Sequence, residues 1–509
     1  MDFRKDINGL RAVAVILVLL FHFHTPGFTA GFVGVDVFFV ISGFLMTGII
    51  LRAVDAGDFS LLRFYRARLA RLYPALLTMV AATLLFGLVF IEPGALARIA
   101  ADGVSALLFV SNILFWREAG YFGAPADTMW LLHTWSLSVE WQFYLVYPLV
   151  LMFAAPFFRG TRARFLLLGA GFAASLALSV AAAELVANDR LVSFGFYMLP
   201  TRAWEMLAGG LVALRPDLLH GLGDRARRAL ELAGLAAIAA SLALFSDTTP
   251  WPSFHALLPV AGATLVLAAA SGRSALSAAP LQHLGAWSYS IYLWHWPVVA
   301  ALAYFGFDHA VDLAAGLLLS LVLGWASLRF VERPSRAWLA ALPAAGNGEG
   351  RMARPRFPAM GALAAAAFAV IALDAFTALQ GGLPQRRPEL VPVYAATLDA
   401  AADYAYPFGD CGGTTRAGNA LRPCVVGAPS PQGDVLVIGD SFAEIWYPRV
   451  AALEAELRDH AVVFLTKGGC APIAGMERVE PGMGCARFND MAMAEARSGR
   501  YRTVILAGM

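Results

Sequence analysis

Lysine is almost missing from this chain, which has it only as Lys5 and Lys467. Charge of either sign is thin: 15% of the 509 residues are Asp, Glu, Lys or Arg, against about 25% in an ordinary soluble domain. That scarcity excludes a single soluble globular domain. Cysteine is absent from residues 1–410 and then appears as Cys411, Cys424, Cys470 and Cys485. No Cys-x-x-Cys occurs, so no metal site is expected. The net charge of +2 says little by itself, and no nucleic-acid partner is expected.

Apolar residues fill the space that charge leaves, at 59% of the chain with a mean hydropathy of +0.64. Apolar segments recur at about 8–25, 33–51, 72–91, 141–155, 165–187, 197–214, 230–246, 255–271, 285–305, 310–328 and 357–379, each near the roughly 20 residues that a membrane span needs. Val104–Trp116 is too short to span and reads as re-entrant or interfacial. Arginine is distributed unevenly between the loops. With Met1 in the cytoplasm, inner loops carry Arg63, Arg66, Arg68 and Arg71, then Arg159, Arg162 and Arg164, then Arg225, Arg227 and Arg228, and lastly Arg329, Arg333 and Arg336. The short outer loops carry only Arg98, Arg117 and Arg190. This positive-inside asymmetry predicts a polytopic α-helical membrane protein, a ten-span body plus an eleventh span that carries the C-terminal part outside the cytoplasm.

The composition breaks near residue 380. The boundaries expected are a transmembrane body over 1–335, a cytoplasmic linker over 336–356, an eleventh helix over 357–379 and an extracytoplasmic α/β domain over 380–509. In an oxidising compartment the cysteines are expected to form disulfides. Proximity favours Cys411–Cys424 and Cys470–Cys485, although four cysteines allow three pairings. The tail shows strands at Val435–Ile438, Ala461–Leu465 and Thr503–Leu506 with helical patterns between them, which argues a parallel sheet. Gly439-Asp440-Ser441 turns from the first of these strands into a helix. That turn exposes a serine near a helix N-terminus, where it can act as a nucleophile beside backbone N–H groups.

Ionisable groups inside spans are costly and are functional candidates by default. Arg11 and His22 are eleven residues apart, about 16 Å and almost three turns along one helix, so they share a face. A membrane anchor and a core histidine are the plainer readings of the two. Arg68 and Arg71, at i,i+3 in an inner loop, form a guanidinium pair suited to phosphates, beyond their role in topology. Asp36 opens the second span, and Glu140 opens the fourth among aromatic residues. A His22–Glu140 pair is geometrically possible there. His295 is mid-span and reads as a packing histidine.

At these residues the chain resembles the acyltransferase-3 family of bacterial membrane O-acyltransferases. The resemblance rests on Arg11-x10-His22, Gly34-Val-Asp36-Val-Phe-Phe-Val-Ile-Ser-Gly43, Arg68-x-x-Arg71, Ser136-Leu-Ser-Val-Glu140-Trp-Gln-Phe-Tyr144 and Ser290-Ile-Tyr-Leu-Trp-His295. The tail looks like the SGNH-hydrolase-type domain often fused to this family. The resemblance implies acetyl-CoA as cytoplasmic co-substrate and an extracytoplasmic glycan, such as O-antigen lipopolysaccharide or exopolysaccharide, as acceptor. It implies a bacterial inner-membrane location with a periplasmic tail. By carry-over His22 is the essential histidine and Arg11 its motif partner. Arg68 and Arg71 would hold the CoA phosphates, Glu140 would assist near the acceptor, and Ser441 would be the tail nucleophile with Gly468 or Gly469 as oxyanion donor. The family's Asp-x-x-His base is not found before Met509, and the tail is therefore expected to be truncated and to lack esterase activity as it stands. A transporter and a membrane-anchored carbohydrate esterase are the alternatives. The chain shows no internal repeat of the transporter kind, and a mere anchor needs no intramembrane histidine.

Overall fold

The computed structural model describes residues 3–119, 126–154, 157–158, 160–185, 189–215, 219, 221–271, 274–340, 358–392, 411–412, 420–429, 433–453, 460–476 and 484–508. The chain forms two compact units, Met1–Arg386 and Arg387–Met509.

The first unit is helical: α1 (Lys5–His22), α2 (Val33–Asp55), α3 (Leu61–Phe90), α4 (Pro93–Leu107), α5 (Ser111–Glu118), α6 (Thr134–Ala154), α7 (Thr161–Val180), α8 (Asp189–Tyr197), α9 (Leu199–Ala213), α10 (Asp224–Leu244), α11 (Leu257–Ala269), α12 (Ala279–Phe305), α13 (Ala310–Ser327), α14 (Arg333–Ala340) and α15 (Pro358–Leu379). Among the described residues six helices are long and apolar enough to cross a membrane, and the protein is a membrane protein. These six are α2, α3, α6, α7 with the π-turn after it, α13 with its continuation to Leu339, and α15. α1 carries Lys5, Asp6 and Arg11, and α9 and α11 are short.

Three expectations change here. The arginine-rich stretch Arg63–Pro74 is helix rather than loop: Ser60 accepts from the Arg63 N–H at 3.3 Å to start α3, which continues through Pro74. Val104–Trp116 is divided between α4 and α5, with the break at Leu108–Val110. α4 starts earlier, at Pro93, where the Glu92 carboxylate caps the Gly94 and Ala95 N–H groups. Finally, a π-turn at Leu328–Glu332 leads into α14, so residues 336–340 of the expected inner linker are ordered helix. The linker beyond Ala340, with Arg351, Arg354 and Arg356, lies outside the described residues, as does Arg159.

α1 packs between α2 and α12, and α2 crosses α9 closely. The α2–α9 crossing depends on glycine. A Cβ on Gly43 would sit 1.7 Å from the Met206 carbonyl oxygen, and one on Gly209 would sit 1.9 Å from that of Val40. Small residues bring helix backbones together where lipid gives no hydrophobic drive to association. The main core joins buried residues of α1, α2, α3, α6 and α12, among them Val18, Phe39, Met79, Tyr144 and Leu293.

The second unit holds a small sheet in the order β1-β3-β2-β4. β1 (Cys424–Val426) runs antiparallel to β3 (Val462–Thr466); β2 (Asp434–Gly439) lies parallel to β3 and to β4 (Tyr501–Ala507). Two short helices, α16 (Ser441–Glu444) and α17 (Tyr447–Ala452), follow β2, and α18 (Cys485–Ala496) precedes β4. The sheet is mixed because of β1, too short a strand to read from sequence. The helical pattern expected between β2 and β3 is broken between Glu444 and Tyr447, and residues 454–459 lie outside the described set. Disulfides join Cys411 to Cys424 and Cys470 to Cys485, with Cα atoms 5.1 and 5.2 Å apart.

Candidate active site

α1 carries Arg11 and His22 in one unbroken helix, which spaces them by about 16 Å along its axis. Arg11 ends at a cavity of about 840 Å³ formed by α1, α3, α14 and the π-turn before α14. Arg63, Arg66, Arg68, Arg71, Arg333 and Arg336 line it with Arg11, and among the described residues Glu332 is the one carboxylate on the wall. Glu332 accepts from Arg336 at 2.8 Å and from the Ser290 hydroxyl at 3.2 Å. Among the described residues Arg68 makes no ion pair; its guanidinium lies 5.8 Å over the Phe64 ring and 3.9 Å from the Met46 sulfur. Its Nε is buried without a hydrogen-bond partner. The i,i+3 spacing thus sets Arg68 and Arg71 on the wall of a strongly cationic cavity. Sequence reasoning assigned Arg333 and Arg336 to topology and linker, yet α14 folds them onto the same wall.

A second, smaller cavity of about 70 Å³ lies deeper and shares Arg11 and Arg71 with the first. Ser42, Ser136, Glu140, Tyr144, Tyr289 and Tyr292 supply its polar surface. Glu140 is held here: the Ser42 and Tyr144 hydroxyls both donate to Oε1. The expected His22–Glu140 pair does not form. The carboxylate is engaged from α2 and from the next turn of its own helix, and its neighbours are hydroxyls rather than imidazole.

His22 pairs instead with His295. Its Nδ1 is 3.0 Å from His295 Nε2, and the rings stack with centroids 5.1 Å apart. His295 Nδ1 is 2.6 Å from the Tyr292 carbonyl oxygen, and His133 approaches His295 edge-on at 5.6 Å. The packing reading of His295 is therefore corrected: it is fully buried but hydrogen-bonded to the candidate site. His133 escaped notice because nothing local marks it; its place comes from the turn before α6 packing on α12. The Tyr292 hydroxyl reaches the Ser136 hydroxyl at 2.6 Å and the His133 carbonyl at 3.0 Å, so Tyr292 joins the small cavity to the histidines.

Asp36 lies elsewhere. It is buried beside Arg202 at 3.2 Å, and the Trp251 indole donates to it at 3.3 Å. Arg202 is also 3.2 Å from Glu205 and lies over the rings of Phe39, Trp135 and Phe196. This buried network ties α2 to α9 and holds Asp36 apart from His22 and from the walls of the two cavities. Arg202→Leu is expected to destabilise the protein by about 3–5 kcal/mol, the cost of leaving buried charge without its partner. The thermal unfolding midpoint in detergent checks it, and it should fall well below that of the parent chain.

In the second unit, Ser441 is nearly buried at the first turn of α16, where Asp440 caps the Phe442 N–H at 2.8 Å. Gly439 is required before it, since a Cβ there would lie 1.8 Å from the Ala507 carbonyl oxygen. The Lys467–Cys470 turn, with Gly468 and Gly469, follows the adjacent parallel strand whose Thr466 pairs with Gly439. Both turns therefore lie at the carboxyl ends of neighbouring strands, the place where open α/β sheets bind ligands. His460 precedes β3 at the opposite end of the sheet, about 17 Å away by strand rise. Burial pushes the Glu444 carboxyl up from its ordinary value, and the Asp440 charge adds to the effect.

Residues 4–329 match the model of an acyltransferase domain, and residues 410–509 match that of an SGNH domain fused to such domains. A protein of Komagataeibacter xylinus named as a membrane-bound transacylase, BcsY, is 36% identical over 355 residues, which is 68% of this chain and 86% of that protein. The O-acetyltransferase OatA of Staphylococcus aureus is 31% identical over 349 residues, 65% of this chain and 57% of its own length. The peptidoglycan O-acetyltransferase OatA of Listeria monocytogenes is 29% identical over 309 residues, 58% of this chain and 49% of its own. No solved structure matches the chain.

Proposed function

The chain belongs to the acyltransferase-3 family and is an O-acyltransferase, and on that premise we propose that it transfers an acetyl group from cytoplasmic acetyl-CoA to a hydroxyl of an extracytoplasmic glycan. O-antigen, exopolysaccharide and peptidoglycan are the acceptor classes considered, the last because relatives bear that name. The protein would sit in a bacterial inner membrane with its N-terminus cytoplasmic and residues 380–509 periplasmic.

One observation carries this reading: α1 bears, on a single face, an arginine on the wall of a large cationic cavity of about 840 Å³ and an imidazole three turns away. Arginine forks suit phosphate oxygens because each offers parallel charge-assisted donors, and CoA carries several phosphates. Arg68 and Arg71 would hold those phosphates while the acyl end passes Arg11 toward the small cavity. His22 then accepts the proton of the attacking hydroxyl. The hydroxyl oxygen bonds to the acyl carbon, the carbon–sulfur bond breaks, and the proton returns from the imidazolium to the departing sulfur. Ser441 is assigned to the later handling of the acyl group outside the cytoplasm, with Gly468 or Gly469 donating to the oxyanion.

A transporter or a merely anchored esterase does not fit a chain whose membrane body matches an acyltransferase domain. Mass spectrometry of surface glycans from cells with and without the gene tests the proposal. Loss of a 42-dalton substituent (one acetyl replacing hydrogen, about 42 by atomic mass) on a defined sugar is the expected result. Identical glycans in both strains would oppose it.

A further inference from the structure

We infer that His295 is a positioning residue that fixes the tautomer of His22 and leaves Nε2 of His22 as the proton-accepting atom. The inference rests on the reading of His22 as the base and specifies how that base is prepared.

One group beside His295 has no choice of role. A backbone carbonyl only accepts, so the 2.6 Å contact between His295 Nδ1 and the Tyr292 oxygen puts the hydrogen on Nδ1. A neutral imidazole has one N–H, and Nε2 of His295 is then a lone pair. The 3.0 Å contact to His22 Nδ1 must be donated by His22. Its own Nε2 is consequently bare.

The alternative protonation defeats the base: a cationic His295 would donate from Nε2 to His22 Nδ1 and force the His22 hydrogen onto Nε2. Local structure favours the useful arrangement. His295 turns back onto the carbonyl three residues before it in α12. The Trp296 ring meets His22 edge-on at 4.6 Å and limits its rotation. His295 is fully buried while His22 is only partly so, and His22 is thus the member of the pair open to a substrate. The titratable groups around His22 are His295, His133 and His24. Among the described residues no carboxylate is bonded to it, in contrast to the usual histidine–carboxylate arrangement.

The test uses the full chain in detergent with its histidines labelled with nitrogen-15, and cells carrying the same variants. His295→Phe keeps a ring without an acceptor, and His295→Gln restores an acceptor close to the Nε2 position. In the parent protein the His22 signals, assigned by their loss in His22→Ala, should show hydrogen on Nδ1 and none on Nε2. His295→Gln should keep that pattern and most of the glycan acylation. His295→Phe should mix the two tautomers and lower acylation about 10- to 100-fold, the usual scale for a group that orients a functional ligand. Hydrogen on Nε2 of His22 in the parent protein overturns the inference, even if His295→Phe fails to fold. Equal losses in the Phe and Gln variants also overturn it. Normal acylation in His295→Phe beside none in His22→Ala overturns it while leaving His22 as base. Normal acylation in His22→Ala removes the underlying reading instead.

Discussion

Replacing His22 by alanine is expected to lower acyl transfer about 10²- to 10⁴-fold, the range that a general base contributes. The protein should remain inserted at its normal level, because His22 ends α1 partly exposed and holds no carboxylate or helix cap. Among the described residues its one side-chain hydrogen bond goes to His295, and loss of a neutral bond of that kind costs only about 1 kcal/mol. Activity and stability should therefore separate cleanly. Glycan acylation measured against membrane protein content checks this, and acylation near the parent level would take His22 out of the chemistry.

The Arg68→Ala, Arg71→Ala double variant is expected to lose affinity for acetyl-CoA while keeping its fold. Each arginine lines the large cavity, and each lost charge-assisted contact is worth about 1.5–3 kcal/mol, or about ten- to a hundredfold in affinity. Direct titration with acetyl-CoA reads the effect. If affinity is unchanged, the two residues serve topology alone.

The helices were legible where the physics is local. Long apolar runs between arginine-bearing loops became α2, α3, α6, α7, α13 and α15 because lipid demands internally satisfied backbones. Short apolar runs ending in glycine became β2 and β3. The pairing of Arg68 with Arg71 was also local, a matter of i,i+3 spacing. What escaped was long-range. His22 meets His295 across 273 positions and Asp36 meets Arg202 across 166; no periodicity reports such contacts. Glu140 looked like a partner for His22 because both stand at the same end of their spans, yet rotation about α6 turns it to Ser42 and Tyr144. For His295 a usable signal existed, since any histidine in the middle of a span is costly. Its mid-span place read as packing, and its contact with the Tyr292 carbonyl has no mark in the sequence. Arg333 and Arg336 resembled a linker until the π-turn at Leu328–Glu332 folded them against α3.

The central claim is that one chain takes an acyl group from CoA on one side of the membrane and delivers it to a hydroxyl on the other. Proteoliposomes containing the full chain in known orientation, with acetyl-labelled acetyl-CoA outside and a candidate glycan sealed within, test it directly. Label on the enclosed glycan is expected when the cytoplasmic face is outward, and none with His22→Ala. Label that appears only when donor and glycan share a compartment, or that persists in the His22 variant, would contradict it.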